Sequence, residues 1–277
     1  MVVWGATPVA TRIATDELEP LVVAMLRTVL AGAIAVPLLV GMGVGPPASG
    51  KARLLLAVSA IAGFVFFPVV YTVGQERTSA MHGVGILAGL PVFTGLYAAA
   101  VARRLPGRWW VAGCALALVG EGVIVAVRAR GGGGDASLLG DLLVLTAALV
   151  VSSGYVAGAM LVPRGLSSAA TTYWGVTIGA VTLLPLGVVM LAVDGFPHAG
   201  AEEWGAVVWL AVVTSILGYV GWYWALAHGG IARIAPLQFL QPLSGLVLAA
   251  IVLDERLTWP LALGAGAVIA GVAIARK

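Results

Sequence analysis

Charged residues are scarce in this chain. Only 10% of its 277 residues are charged and 61% are hydrophobic, whereas a soluble domain carries about 25% charged residues. So few charges could not solvate the surface of a water-soluble protein of this size. Lipid must therefore be the solvent for much of the surface, which predicts an integral membrane protein.

The common catalytic and metal-binding motifs are also missing from the sequence. Cys114 is the single cysteine, which excludes a disulfide framework within one chain and a cysteine-based metal cluster. The glycine run 131–134 lacks the Lys-Ser/Thr that completes a phosphate-binding loop, and the sequence contains neither a zinc-type histidine pair nor a nucleophile elbow. We therefore expect a protein that is not an enzyme, carries no cofactor or metal and has no nucleic-acid partner.

Ten apolar runs follow one another along the chain, and most approach the 20 residues that a transmembrane helix needs. Short breaks with turn or charge signals, such as Gly45-Pro46-Pro47, separate them. The first run is short, which predicts that the natural chain begins upstream of Met1. We expect an all-α membrane protein with ten spans at roughly 1–14, 20–41, 53–75, 80–102, 108–127, 138–162, 168–193, 204–227, 232–253 and 259–275.

The loop charges divide by side when the loops are assigned alternately. One side carries nine basic and no acidic residues, whereas the other carries ten acidic and four basic ones. The positive-inside rule places the basic side, with both termini, in the cytoplasm of a multi-pass inner or plasma membrane protein. The nine basic residues are Lys51, Arg53, Arg103, Arg104, Arg108, Arg164, Arg233, Arg276 and Lys277.

The two halves of the sequence resemble each other. Five spans precede the glycine run and five follow it, and because five is odd, a duplicated half has the opposite topology. Aligning Pro91 with Pro242, an offset of 151, also matches other positions: Gly113 with Gly264, Gly120 with Gly271 and, with reversed charge, Arg103 with Asp254. We predict two inverted five-helix repeats, 1–130 and 138–277, joined by the Gly-rich linker 131–137. Secondary transporters with inverted repeats bind substrate near the membrane midplane, between the halves.

Several short motifs in this order carry a resemblance to a known family. They are Trp4-Gly5, Glu19-Pro20 through Arg27 and Ala31, Leu90-Pro91-Val92-Phe93-Thr94, Gln241-Pro242-Leu243 and Asp254-Glu255-Arg256-Leu257-Thr258. With this spacing, and over nearly the whole chain, the sequence resembles the EamA-type ten-helix exporters of the drug/metabolite transporter superfamily. The resemblance implies export of amino acids, related metabolites or drugs, through a cavity lined by the first, third, fourth, sixth, eighth and ninth helices.

Prolines and glutamines mark the middle of two of these helices. Pro91 and Pro242 each lie about ten residues into their spans, and a proline there frees the carbonyl four residues earlier, which belongs to Leu87 or Gln238. Irregular backbone at this depth is tolerated where it lines a cavity or is buried in protein. Gln238 and Gln241 share a helix face. They either contact substrate or form interhelical hydrogen bonds.

A cation and several aromatic residues complete the predicted substrate site. Arg27, seven residues into the second span, either captures a substrate carboxylate or extends toward the acidic loop 16–19. The aromatic residues of the cavity helices line the cavity or simply pack, and Trp4 and Tyr155 are the best candidates because both are distant from span ends. The aromatic candidates are Trp4, Tyr71, Tyr155, Trp222 and Tyr223.

Three titratable residues are candidates for proton coupling. Glu121 lies near mid-membrane on a helix expected at the periphery, so it must be protonated, paired or turned inward. Asp141 and His82 lie closer to the outer surface, where an ordinary solvated role competes. The sequence leaves proton coupling and a homodimer open.

These features together predict a secondary transporter that exports a small amphiphilic metabolite, such as an amino acid or a related compound, or a drug, by alternating access. Its partners are the small-molecule substrate and the lipid bilayer. A non-coupled channel or facilitator and a membrane-embedded receptor or scaffold remain the alternatives.

Overall fold

The computed structural model describes residues 1–78, 80–129, 137–244 and 259–277. These residues form helices and turns and contain no strand. Their α-helices are α1 Val2–Gly5, α2 Thr7–Ala14, α3 Pro20–Met42, α4 Gly50–Ala60, α5 Phe67–Glu76, α6 Ala80–Leu87, α7 Leu90–Ala102, α8 Arg108–Ala129, α9 Leu138–Ala159, α10 Ser168–Asp194, α11 Ala201–Trp209, α12 Gly218–Gly229, α13 Ile231–Ile234 and α14 Trp259–Ala275.

Four irregular helical segments join or extend these helices. Wider π-helical turns connect α4 to α5 over Ile61–Phe66 and α11 to α12 over Leu210–Leu217. Tighter 3₁₀ turns cover Val162–Arg164 and Ala235–Phe239. The π segments matter because such bulges are frequent at functional sites.

The described part of the chain contains seven helical stretches that are long and apolar enough to cross a membrane. They are Pro20–Met42, Gly50–Glu76, Gly85–Ala102, Arg108–Val127, Leu138–Arg164, Ser168–Val193 and Ala201–Gly229, and the shorter α14 is also apolar. The chain is therefore a multi-pass helical membrane protein, as predicted. Ten spans remain a prediction: residues 1–14 form two short helices, and the predicted ninth span is described only as far as residue 244.

Serine caps set the predicted starts of several helices. The hydroxyls of Ser49, Ser137 and Ser167 each accept a hydrogen bond from the backbone N–H three residues later, which satisfies one free donor at the start of α4, α9 and α10. At the end of α3, Gly43 adopts a left-handed conformation with φ +61°, where glycine has no steric penalty. The turn signals in the sequence thus fall where the helices begin and end, although the linker 131–137 lies outside the described residues except for Ser137.

Helices that the sequence predicts to be equivalent pack against each other. Helix α3 packs along α10, and α8 packs along α14. Helix α7 packs on the segment Ala235–Phe239, so the helix that contains Pro91 is next to the segment that precedes Pro242. This pairing is compatible with the predicted duplication, which remains a prediction.

Candidate functional site

The backbone is interrupted near the middle of the fourth predicted span. Helix α6 ends at Leu87, α7 begins at Leu90, and Pro91 is buried in the first turn of α7. A proline in that turn lacks only an N–H that has no intrahelical acceptor. The Ser152 hydroxyl of α9 lies 2.8 Å from the Ala148 carbonyl and 3.4 Å from the Leu90 carbonyl. A two-residue turn at Ala88 and Gly89 thus takes the place of the expected kink, and it is buried against α9.

The corresponding turn before Pro242 is the 3₁₀ segment Ala235–Phe239, and Pro242 lies half-buried in the helical residues that follow. Gln238 in this segment is 3% exposed. Its Oε1 accepts a hydrogen bond from the hydroxyl of Thr94 on α7 at 3.4 Å, and its buried Nε2 has no hydrogen-bond partner. The side chain thus links α7 to this segment and still has a free donor.

Gln241 makes a second contact between predicted halves. Its Nε2 donates a hydrogen bond to the backbone carbonyl of Trp4 at 3.4 Å. Both glutamines therefore form interhelical hydrogen bonds, which was one of the two interpretations open from the sequence. Contact with substrate remains a prediction for each of them.

A cluster of packed aromatic side chains forms the centre of the largest buried core. Trp4 stacks on Tyr155 with ring centroids 5.9 Å apart, and Trp222 meets both rings edge-on at 5.7 and 5.9 Å. Tyr219 contacts Trp4 at 5.5 Å and Phe64 at 4.4 Å. Such offset and edge-to-face pairs are favourable beyond their buried area. The cluster joins α1, α9 and α12, helices that the family resemblance places around a central cavity.

Hydrogen bonds anchor these rings to the two π segments. The indole Nε1 of Trp4 donates to the Thr214 carbonyl at 3.0 Å, and the Tyr219 hydroxyl donates to the Gly63 carbonyl at 3.2 Å. Both acceptors lie in the irregular segments Ile61–Phe66 and Leu210–Leu217. The wide turns therefore present backbone oxygens that a regular α-helix would use internally.

Arg27 projects from α3 into the protein beside this cluster. One of its terminal nitrogens donates to the hydroxyls of Ser215 at 3.2 Å and Thr214 at 3.5 Å. Its buried Nε has no hydrogen-bond partner, and no carboxylate among the described residues pairs with it. Both hydroxyls donate to the Leu210 carbonyl, so their oxygens are oriented to accept from the guanidinium. Arg27 therefore turns inward instead of toward the acidic loop.

Three tyrosines lie near the Arg27 guanidinium and interact with it electrostatically: Tyr71, Tyr155 and Tyr219. The rings of Tyr155 and Tyr219 also contact each other, with centroids 5.8 Å apart, and Tyr71 stacks on Phe67 with ring centroids 5.1 Å apart. Phenol hydroxyls can accept hydrogen bonds from a guanidinium and donate them to an anion. The fold thus combines one cation, several hydroxyl groups and an apolar aromatic wall, which together suit a small amphiphilic anion.

The three candidates for proton coupling lie on three different helices. Glu121 on α8 is turned inward and only 1% exposed, and neither carboxylate oxygen has a hydrogen-bond partner. Asp141 lies in the first turn of α9 and accepts a hydrogen bond from the Thr78 hydroxyl, which suits a residue at a helix start. His82 is in α6, and its side chain lies outside the described part of the structure. Of the two that can be compared, only Glu121 is a buried carboxylate without a partner.

Some residues of the cluster were missed at the level of sequence. Tyr219, Trp222 and Tyr223 are spaced i, i+3 and i+4 on α12 and therefore share one face, which could have identified Tyr219. The Tyr223 hydroxyl lies 2.7 Å from the Ser59 hydroxyl, in a contact that joins α12 to α4. Thr214 and Ser215 had no comparable signal, because their position depends on a π turn that residue pattern does not predict.

Known proteins resemble this chain over nearly its whole length. It is 31% identical to the uncharacterized transporter YdeK of Bacillus subtilis, over 99% of this chain and 92% of that protein. It is also 31% identical to a protein of Streptantibioticus cattleyicolor named "Probable terminal-alkyne amino-acid exporter", over 100% of this chain and 91% of that protein. A protein of Escherichia coli named "Probable amino-acid metabolite efflux pump" is 29% identical, over 99% and 91%.

A solved crystal structure shares the fold. It superimposes with a TM-score of 0.80 at 20% sequence identity, over 99% of this chain and 94% of that one. The model of the EamA-like transporter family matches residues 1–126 and 138–276, which includes α1–α8, apart from the last turn of α8, and α9–α14. The resemblance identified from the sequence motifs is thereby confirmed, and the chain belongs to the EamA-like transporter family.

Proposed function

We propose that this chain is a secondary transporter that exports a small amphiphilic metabolite, such as an amino acid or a related compound, or a drug, by alternating access. The observation that carries the proposal is the position of Arg27. Its guanidinium extends from a membrane helix, forms its hydrogen bonds only with hydroxyl groups among the described residues and is adjacent to a wall of aromatic rings. A carboxylate on the substrate would pair with Arg27, and an apolar substrate body would pack on the rings.

The energetics of a membrane interior support this assignment. A charged side chain within a membrane-spanning segment is costly, faces the protein interior and marks a substrate or ion pathway by default. The two hydroxyl bonds compensate only part of the charge of Arg27, because neither partner is anionic. An anionic substrate group would supply the missing charge, so its binding would be stronger there than at a neutral site.

Three further observations support export by alternating access. The loop charges favour cytoplasmic termini, and relatives at 29–31% identity are named as an efflux pump and an exporter of amino acids. The hydrogen bonds of Thr94 with Gln238 and of Gln241 with Trp4 cross between the predicted halves. Movement of one half against the other would break and re-form these bonds around a fixed site, as alternating access requires.

Counterflow in proteoliposomes tests the proposal. Purified protein is reconstituted, loaded with unlabelled candidates and supplied with labelled amino acids, their decarboxylated analogues or cationic drugs. We expect saturable counterflow for at least one carboxylate-bearing amphiphile. Flux without saturation or counterflow would indicate a channel, and no flux for any compound in a folded protein would favour a receptor or scaffold.

Variants at Arg27 test the site itself. We expect Arg27→Gln to reduce counterflow of the carboxylate substrate by at least about tenfold, the equivalent of one lost charged hydrogen bond of about 1.5 kcal/mol. Arg27→Lys should retain part of the activity because it keeps the charge. Arg77→Gln is the matched control, since Arg77 is exposed and pairs with Glu76. Equal counterflow in Arg27→Gln and the wild type would refute this site.

A further inference from the structure

A cleft at the basic end of the protein plays no part in the transport site described above. It lies between α7, α8, α13 and the end of α14 and has a volume of about 710 Å³. Its floor on α7 consists of Gly95, Ala98, Ala99 and Ala102. These positions follow one another at i, i+3, i+4 and i+7 and therefore share one helix face. Because none of them has a bulky side chain, α7 leaves a groove along its length.

The rim of the cleft carries four cations and no acidic side chain. Arg104, Arg233, Arg276 and Lys277 line it and are all exposed. Within the described residues, none of the four forms an ion pair or a side-chain hydrogen bond. The cleft thus combines an apolar floor with a concentrated positive charge that no acidic side chain among the described residues neutralises.

The outer wall of the cleft is apolar and exposed. Leu105 is 95% exposed, and Val101 and Trp109 are each more than half exposed, as apolar residues of a membrane protein are where they contact acyl chains. Trp109 lies between two cations, with the Arg108 guanidinium 5.2 Å and the Lys277 ammonium 6.0 Å from its ring centroid. Tryptophan flanked by basic residues is typical of the interface between lipid and water. The cleft therefore opens at the level of the headgroups.

One residue that lines the cleft has a buried polar atom without a partner. Trp110 lines it, packs against Gly95 and is 92% buried, yet its indole Nε1 has no hydrogen-bond partner. A buried N–H without an acceptor is costly. The wall of the cleft therefore includes a polar group that no described protein group satisfies.

We infer that this cleft is a binding site for an anionic phospholipid of the leaflet on the basic side of the protein. The phosphate lies among the four rim cations, and one acyl chain occupies the groove of α7. Basic pockets between membrane helices on the cytoplasmic side bind anionic headgroups in this way. A soluble anion would use the rim cations but leave the apolar groove empty, so the lipid matches more of the site.

Lipid titration of the purified full-length chain by native mass spectrometry tests the assignment. Dioleoyl-phosphatidylglycerol is compared with dioleoyl-phosphatidylcholine, which has the same chains without net charge. We expect one preferentially bound phosphatidylglycerol. The double variant Arg233→Gln/Arg276→Gln should weaken it by about fivefold for each cation removed. Lys51→Gln/Arg164→Gln removes the same charge from the same predicted membrane face outside the cleft and should leave the affinity unchanged.

The acyl chain is tested separately from the charge. Ala99→Leu fills the groove and should weaken phosphatidylglycerol binding although all rim cations remain. If Ala99→Leu does not fold, Ala102→Leu at the exposed end of the same stripe replaces it.

Three results would overturn the assignment: equal binding of both lipids, equal losses in the two double variants, or displacement of the lipid by glycerol 1-phosphate at similar concentration. The last result would indicate a site for soluble anions. Transport of substrate is not measured in any of these experiments, so their outcome is independent of the proposed function.

Discussion

Gly120 of α8 and Gly264 of α14 bring the backbones of their helices into direct contact. A Cβ atom built on Gly120 would lie 2.6 Å from the Gly264 carbonyl oxygen, and one on Gly264 would lie 2.9 Å from the Gly120 oxygen. The pair Gly113 and Gly271 repeats this arrangement, at 2.5 and 2.6 Å. Because the sequence aligns Gly113 with Gly264 and Gly120 with Gly271, each contact is the image of the other. A two-fold axis relating the two predicted repeats would produce this reciprocity.

Because α8 and α14 approach each other closely, we expect substitution of Gly120 to destabilise the protein far more than substitution of Gly122. Gly120→Leu inserts a side chain against backbone that cannot yield, and we expect it to destabilise the protein by about 1–3 kcal/mol or more. Gly122→Leu is the matched control, because a Cβ at Gly122 meets nothing within 4 Å. Thermal unfolding in detergent should show a lower Tm for the first variant only. An equal Tm for both would contradict the packing of α8 on α14.

The aromatic cluster predicts a selective effect at Trp4. Trp4→Phe keeps a ring but loses the hydrogen bond to the Thr214 carbonyl, worth about 1 kcal/mol. We expect the apparent KM for counterflow to rise by about fivefold while the protein remains folded. Trp224→Phe is the control, since Trp224 lies on α12 but is 58% exposed. Equal KM values in both variants would indicate that Trp4 only packs.

Much of the fold could be predicted from residue pattern, but parts of the site could not. Apolar runs and turn residues placed the helices, because lipid requires continuous apolar spans and polar breaks. The break before Pro91 followed from the chemistry of proline. The π turn at Leu210–Leu217 did not, since no residue type specifies an i→i+5 turn. That turn fixes the partners of Arg27, and for this reason the sequence could not decide whether Arg27 faces the loop or the interior.

Two substitutions of Gln241 separate the loss of its hydrogen bond from the effect of a larger side chain. Gln241→Met keeps the volume of the side chain and removes only the bond to the Trp4 carbonyl, which averages about 0.6 kcal/mol in a membrane. We expect it to retain most counterflow. Gln241→Trp should abolish counterflow without loss of expression, because the half-buried side chain has no room to expand beside Trp4. Full activity of a folded Gln241→Trp variant would show that substrate and helix motion do not involve this position.

We expect replacement of Glu121 by an apolar residue to stabilise the protein and, if Glu121 carries the coupling proton, to uncouple transport from a pH gradient. Its buried carboxylate has no hydrogen-bond partner, and a desolvated polar group without a partner costs about 1–3 kcal/mol. Glu121→Leu removes this cost, so the Tm in detergent should rise. If Glu121 carries the coupling proton, counterflow at equal pH persists in this variant, whereas accumulation driven by a pH gradient disappears.

Asp141→Asn is the comparison for Glu121. Asp141 accepts a hydrogen bond from the Thr78 hydroxyl at the start of α9, and a negative charge there stabilises the helix end. We expect its loss to lower the Tm slightly and to leave the response to a pH gradient intact. Glu121→Leu should therefore raise the Tm and abolish the response to a pH gradient, whereas Asp141→Asn should lower the Tm and keep that response. Accumulation that still follows the pH gradient in Glu121→Leu would assign the coupling proton to another group, whatever the change in Tm.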